Sequence, residues 1–114
     1  MPNGPASLLQ GTLDLIVLQM LRAEPTNGYD LSLRIQSVSR DVLQVNAGSL
    51  YPALYRLEHQ GWIVGEWGES ENKRRAKYYR LTAAGKRRLQ TEADRWRRMV
   101  VVIAGILNTR PEEV

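Results

Sequence analysis

The chain predicts a mainly α, α+β architecture of three helices, a two-stranded hairpin and one long last helix. Three observations carry this. Apolar residues from Leu9 to Leu21 recur at helical spacing, two short runs between Trp62 and Leu81 alternate around a polar turn, and an apolar seam beyond Thr82 repeats in steps of four and three. The order helix, helix, helix, strand, strand is that of a winged helix-turn-helix, a helical triplet with a β wing attached.

Residues 1–6, rich in Pro, Gly and Asn, read as a loose lead-in. The first helix is predicted from Ser7 or Leu8 to Ala23. Leu9, Leu13, Ile16, Val17, Met20 and Leu21 form its apolar face, while Leu15 and Leu18 lie elsewhere on the wheel. A helix apolar on more than one side needs more than one cover, and in so small a chain a second copy can supply it. Glu24-Pro25 ends this helix. Thr26 or Asn27 caps a second helix, Gly28–Val38, with Leu31, Leu33 and Ile35 apolar. After a connection over 39–45 comes a third helix, about Ala47–Gln60, with Leu50, Leu54 and Leu57 turned to the core and Gly61 as its stop. Trp62–Trp67 and Ala76–Leu81 are the strands and Gly68–Asn72 the turn. Thr82 caps a helix from Ala83 to about Asn108, whose seam is Leu89, Ala93, Trp96, Val100, Ile103 and Leu107. Two units follow, a winged helix-turn-helix domain at 7–82 and a C-terminal dimerisation helix at 83–108. The tail RPEEV reads as loose.

Composition narrows the function. The 114 residues suffice for one compact domain with a modest core. The net charge is +4, but its distribution is uneven: 73–98 holds eleven cations against Glu92 and Asp94, a net +9, leaving −5 on the rest. Such a segment favours a polyanionic partner. The absence of cysteine excludes disulfides, thiolate zinc sites and cysteine nucleophiles. The single histidine, His59, has no partner for a metal site and reads as a solvated residue. Ser49 lies in GSLYP rather than in a nucleophile elbow, and no Gly-rich phosphate loop is present. No catalytic residue, metal site or cofactor is therefore expected, and the chain reads as no enzyme. The start lacks a secretory signal and no apolar run spans a bilayer, so the expectation is a cytoplasmic protein with no membrane partner.

The candidate site is a DNA interface. In a helix-turn-helix the third helix enters the major groove. Its polar face is predicted to present Asn46, Ser49, Pro52, Ala53 and Arg56, with Tyr51 and Tyr55 on the flanks. Asn46, Ser49 and Arg56 can bond to bases or phosphates, and a tyrosine hydroxyl reaches a phosphate oxygen. The plain alternative is that Asn46 or Ser49 only caps the helix and the tyrosines pack on the core. Pro52 is read as a first-turn residue, where its missing N–H is harmless. Lys73, Arg74 and Arg75 crowd the hairpin tip, where arginine suits a narrow groove or a row of phosphates. Lys77 and Tyr78 follow as backbone contacts. Asn27 and Tyr29 begin the second helix, whose N-terminal dipole attracts phosphate; Tyr29 as a core residue is the alternative. Trp96, on the seam near a two-fold partner, could wall a flat aromatic ligand by ring stacking, or simply fill the dimer core. Leu13 and Val17 on the first helix and Leu89, Ala93, Trp96, Val100, Ile103 and Leu107 on the last complete the expected dimer interface.

Four segments, LLQGTLDLIVLQML, NGYDL, GSLYPALYRLEHQGWI and RRAKYYRLTAAG, in this order from Leu8 to Gly85, resemble the PadR family of transcriptional regulators, in its short class with a single C-terminal helix. The resemblance covers nearly the whole chain. It implies a bacterial homodimeric winged-helix repressor, at the nucleoid when bound, whose last helix packs on the partner's first helix. Two recognition helices would meet successive major grooves of a near-palindromic double-stranded DNA operator. By resemblance, the groove helix is 46–60 and the wing 68–77. Some relatives release DNA on binding a small phenolic or a planar drug near the dimer interface, and Trp96 is similar in placement to a ligand-stacking aromatic residue in multidrug-sensing relatives. The rival class is a winged-helix protein-interaction module that does not bind DNA. Acidic residues in the third helix or hairpin would favour it, and the cations at 73–75 disfavour it.

Overall fold

The computed structural model describes residues 5–113, with side chains from 11 to 112. The expected apolar role of Leu9 and the loose ends at 1–4 and Val114 lie outside them. The element order is α1 (Pro5–Leu21), β1 (Thr26–Asn27), α2 (Gly28–Val38), α3 (Ala47–His59), β2 (Ile63–Glu69), β3 (Arg75–Leu81), α4 (Ala83–Leu107) and a closing 3₁₀ turn at Pro111–Glu113. The fold is the α+β winged helix that the sequence predicts.

Three boundaries have a local cause. Asn27 caps α2 by accepting the Asp30 N–H at 2.8 Å, and its Nδ2 donates back to the Asp30 carboxylate at 3.0 Å. This reciprocal pair satisfies a free donor of the first turn and adds negative charge at the positive end of the helix. Asn46 caps α3 in the same way through the Ser49 N–H at 2.9 Å. At the far end of α3, Gly61 sits at φ +77, and Trp62 N–H donates to the Leu57 carbonyl at 3.1 Å. That left-handed residue closes the helix at little steric cost and turns the chain into β2.

Several boundaries differ from expectation: β2 runs on to Glu69, so that Gly68 and Glu69 are strand rather than turn, β3 begins at Arg75, and Pro111–Glu113 form a 3₁₀ turn in the tail expected to be loose. α1 begins at Pro5 and ends at Leu21, so Pro5 and Ala6 are helical rather than part of a loose lead-in. β1, which the sequence does not signal, adds Thr26 and Asn27 to the sheet opposite Tyr79 and Tyr78, giving the order β1-β3-β2. Its cause is tertiary. The chain leaving Pro25 runs beside β3, and pairing satisfies two buried residues that would otherwise lack backbone partners.

The core lies between α1, α2, α3 and the base of the sheet. Val17, Leu18, Leu21, Leu31, Ile35, Leu50, Leu54, Leu57, Ile63, Tyr79, Leu81 and Leu89 are its buried members. α1 is apolar on two sides, as expected. Val17, Leu18 and Leu21 enter the core, while Leu15, Ile16 and Met20 are half-buried and line an apolar groove of about 320 Å³ against Ile35, Leu43 and Trp96.

The last helix is anchored at one corner. Thr82 N–H donates to the Trp62 carbonyl at 3.1 Å, and its hydroxyl donates to the Gly61 carbonyl at 2.7 Å while accepting the Gly85 N–H at 3.0 Å. A Cβ at Gly85 would collide with the Trp62 carbonyl oxygen, and the Arg88 guanidinium lies over the Trp62 ring, 4.6 Å from its centroid. From Arg95 to Glu112 every residue of the chain is exposed, so the second half of α4 extends away from the body of the fold. No helix among the described residues is long and apolar enough to cross a membrane.

Because the atom facing Gly85 is backbone, it cannot swing aside. Gly85→Ala should cost roughly 2–4 kcal/mol of folding stability, a mechanism in the overpacking class. Thermal or urea unfolding measures this, and an unaltered midpoint would refute the corner as described.

Candidate nucleic-acid interface

The exposed side of α3 is a ridge of Gly48, Pro52, Tyr55 and His59, spaced at four, three and four, with Ser49 and Tyr51 beside it. Ser49 gives its N–H to the Asn46 cap, and its hydroxyl has no hydrogen bond among the described residues. Tyr51 and Tyr55 are exposed rather than packed on the core. Tyr55 stacks on His59, centroids 6.0 Å apart and rings 11° from parallel. His59 therefore belongs to the ridge, which sequence reasoning missed; its signal is the i, i+4 spacing to Tyr55.

Three placements on α3 correct the expectation. Ala53 is fully buried, because α3 is wedged between α1 and the sheet and buries more than the Leu50, Leu54, Leu57 stripe. Arg56 turns toward α1, where its guanidinium donates to the Asp14 carboxylate at 2.8 Å, and it is not on the ridge. Burial pushes the Asp14 carboxyl above the ordinary aspartate value against the pull of Arg56. Pro52 lies on the second turn of the helix, not the first, so the Gly48 carbonyl has no helical N–H donor at that position.

On α2, Asn27 is buried and both ends of its amide serve the cap, so its side chain is not presented to a ligand. Tyr29 is 69% exposed, which overturns the core alternative. It stands at the N-terminus of the helix beside Tyr51, whose ring lies so close to Gly28 that any side chain there would displace it.

The wing is a regular antiparallel ladder from Ile63↔Leu81 to Glu69↔Arg75. Alternation puts Ile63, Gly65, Trp67 and Glu69 of β2 on the same face as Leu81, Tyr79, Lys77 and Arg75 of β3. This inner face looks toward α3. Lys77 crosses it over Gly65, where no side chain stands in the way, and its ammonium donates to Glu58 on α3 at 2.9 Å. Lys77 is thus held by a carboxylate and is not free for a phosphate, contrary to expectation. Tyr78 lies on the opposite face of the wing, its ring across Gly68 and its hydroxyl donating to the Glu69 carbonyl at 3.4 Å. At the tip, Lys73 takes a left-handed backbone with φ 57, and Ser70 closes the turn through the Arg74 carbonyl at 2.8 Å. Lys73, Arg74 and Arg75 are exposed, and none makes an ion pair with a carboxylate among the described residues. Between the wing and the starts of α2 and α3 lies a cleft of about 820 Å³, lined by Tyr29, Tyr51, Trp67, Arg74, Arg75 and Lys77 among others.

The expected dimer surface divides in two. Val17 and Leu89 are buried in the core of their own chain and have no surface left for a partner, which corrects their assignment. Leu13 and Ala93 are half-buried. Trp96, Val100, Ile103 and Leu107 are exposed along α4, together with Met99 and Ile106. No group of three or more metal-ligating side chains occurs among the described residues.

An exposed ridge on the third helix, a cationic hairpin tip beside it and a long helix leading away define a winged-helix transcriptional regulator. The model of the PadR-like transcriptional regulators matches residues 17–91, and the chain belongs to that family. A transcriptional regulator from Clostridium thermocellum superposes with a TM-score of 0.79 at 29% identity, covering 87% of this chain and 96% of that one. A PadR family regulator from Eggerthella lenta is 35% identical, with a TM-score of 0.76 over 92% of this chain and 89% of its own. An uncharacterised protein of Lysinibacillus sphaericus is 28% identical over 98 residues, 86% of this chain and 90% of its own. Membership implies regulation of transcription through DNA.

Donation to the Glu58 carboxylate raises the Lys77 pKa above the ordinary lysine value, and burial raises that of the Tyr79 phenol. Both groups then hold their protons to higher pH in the folded chain than in the unfolded one. Their contribution to stability is full below the unfolded values near 10 and is lost as the pH rises through the folded ones. Melting temperature should therefore fall above about pH 10, and less steeply in Glu58→Gln. An equal fall in both proteins would show that the Lys77–Glu58 pair does not couple the wing to α3.

Proposed function

We propose that this chain is a sequence-specific DNA-binding repressor that acts as a homodimer on a near-palindromic operator. Residues 7–82 form the DNA-binding domain and 83–108 the dimerisation helix. The observation that carries this reading is the juxtaposition of the exposed α3 ridge with three tip cations that no carboxylate neutralises. The ridge, through Ser49, Tyr51, Pro52, Tyr55 and the edge of the Asn46 cap, reads base edges and flanking phosphates. Tyr29 and the α2 N-terminus meet a phosphate. Lys73, Arg74 and Arg75 displace counterions and supply much of the affinity.

The two-fold partner covers the apolar half of α4. Trp96, Val100, Ile103 and Leu107 lie on one stripe, and the groove between α1, α2 and α4 is an apolar receptor for it. Self-association then places two α3 ridges about one helical turn, roughly 34 Å, apart. Trp96, half exposed at the rim of that groove, suits a small aromatic effector whose binding would alter the spacing and release the operator.

Selection of bound duplexes from a random pool tests the reading: a shared two-fold consensus is expected, and a pool with no enrichment overturns it. Ile103→Glu should convert a dimer into a monomer in analytical ultracentrifugation, since a buried unpaired carboxylate costs on the order of 3–5 kcal/mol; a variant that stays dimeric removes the seam from the interface. Lys73 gives a separate test. A lysine at positive φ costs about 1–2 kcal/mol, and glycine recovers part of this. Lys73→Gly should raise stability by about 0.5–1 kcal/mol while lowering the salt slope of DNA binding by about one for each phosphate that the lysine neutralises. Unchanged salt dependence would place Lys73 outside the interface.

A further inference from the structure

Trp67 is not a member of the buried core. It is 59% exposed and lies beyond the last buried rung of the wing. Its ring is large and mostly open to solvent, and its contacts say what it does. The Arg75 guanidinium lies over its face, 4.3 Å from the centroid.

The choice of partner is informative. Directly opposite Trp67 in the ladder stands Lys77, but that ammonium is already bonded to Glu58 at 2.9 Å. Directly opposite Arg75 stands Glu69, the obvious carboxylate partner, yet no ion pair joins Arg75 to Glu69 or to any other carboxylate among the described residues. Arg75 takes the diagonal ring instead. A carboxylate would hold the guanidinium and cancel its charge. A ring face holds it by its quadrupole and leaves both the charge and the N–H edge available. Both residues line the cleft that separates the wing from Tyr29 on α2 and Tyr51 on α3.

We infer that Trp67 is a positioning residue for nucleic-acid binding: it holds Arg75 over its ring, un-neutralised, so that the guanidinium meets a backbone phosphate entering the cleft between the wing and the starts of α2 and α3. This rests on the DNA-binding reading above. It adds that the wing contains two kinds of cation. Lys77 is structural, locked to α3 by Glu58, and Arg75 is a ligand-facing group ordered in advance by an aromatic side chain. Ordering the side chain before binding removes part of the entropy that a long, freely moving arginine would lose on meeting its phosphate.

The test is a double-mutant cycle with a labelled duplex of random sequence, about 30 base pairs and so long enough for two half-sites a turn apart. Phosphate contacts do not depend on sequence, so the operator need not be known. Arg75→Ala should weaken binding and lower the salt slope by about one per protomer. Trp67→Ala should weaken binding about two- to five-fold, the size of an exposed cation–π contact, with the melting temperature unchanged, and Trp67→Phe should recover part of that affinity. In the Arg75→Ala background, Trp67→Ala should have no further effect. If the two effects instead add, or if Trp67→Ala lowers binding without Arg75, the positioning role is overturned while the DNA-binding reading stands. If the unaltered protein binds no duplex at low salt, both fall together.

Discussion

The structure turns on one corner, where the end of α3, the base of the wing and the start of α4 are tied by the same few atoms. Thr82 donates twice, from its N–H to the Trp62 carbonyl and from its hydroxyl to the Gly61 carbonyl, and then caps α4 through Gly85. Gly61 supplies the left-handed turn that lets β2 leave α3, and Gly85 supplies the space that lets α4 pass the Trp62 carbonyl. The ridge, the wing and the long helix therefore cannot be reoriented independently. A change in the direction of α4 must be taken up at this corner or passed to α3 and the hairpin.

Charge is partitioned on the same frame. The basic segment of 73–98 looks uniform as a string, but folding splits it. Along α4, Arg88 and Arg95 bracket Glu92, and Arg97 stands near Asp94. At the wing base Lys77 is matched by Glu58, and Arg56, outside the segment, by Asp14. The exposed pairs on α4 contribute little stability, about 0–1 kcal/mol. The larger effect of all these pairs is to decide which cations remain unmatched, and on the hairpin these are Lys73, Arg74 and Arg75 at the tip and Arg80 near the base. At the tip the positive charge stays uncancelled because the nearby acids are committed elsewhere or, like Glu69, are passed over.

Much of this is legible in the sequence because it rests on local chemistry. The caps at Asn27, Asn46 and Thr82, the stop at Gly61 and the period of Leu50, Leu54 and Leu57 are statements about neighbours a few residues apart, and α2 has the predicted bounds. The rest is set by distant partners. Asp14 and Arg56 are 42 residues apart, so nothing near Arg56 says that it turns inward. β1 is two residues long, too short to alternate, and exists because β3 has a free edge beside it. A single apolar stripe puts Ala53 on the wrong side of α3, because that helix is covered from two directions. Val17 and Leu89 belong to their own core rather than to a partner, and helical period gives a face without saying which neighbour covers it. Trp67 is hidden for the same reason: alternation puts it on the inner face, but only the register shows that Arg75, and not Lys77, reaches its ring.

The second half of α4 links these points to regulation. It carries an unbroken apolar run, Met99 to Leu107, every residue of which is exposed in the single chain. An apolar surface so continuous is rare on a monomer. Its covering by a second copy would fix the crossing of two helices, each rigidly joined at its N-terminus to its own ridge and wing. The separation and tilt of the two DNA-reading surfaces would then follow from one helix–helix contact. The groove beside Trp96 adjoins that contact and opens to solvent between α1, α2 and α4. A ligand wedged there need not touch the DNA-binding residues to affect them. Moving α4 against α1 by a small amount would act, through the Thr82 corner, as a lever on both ridges at once, and a two-fold site tolerates little error in their spacing.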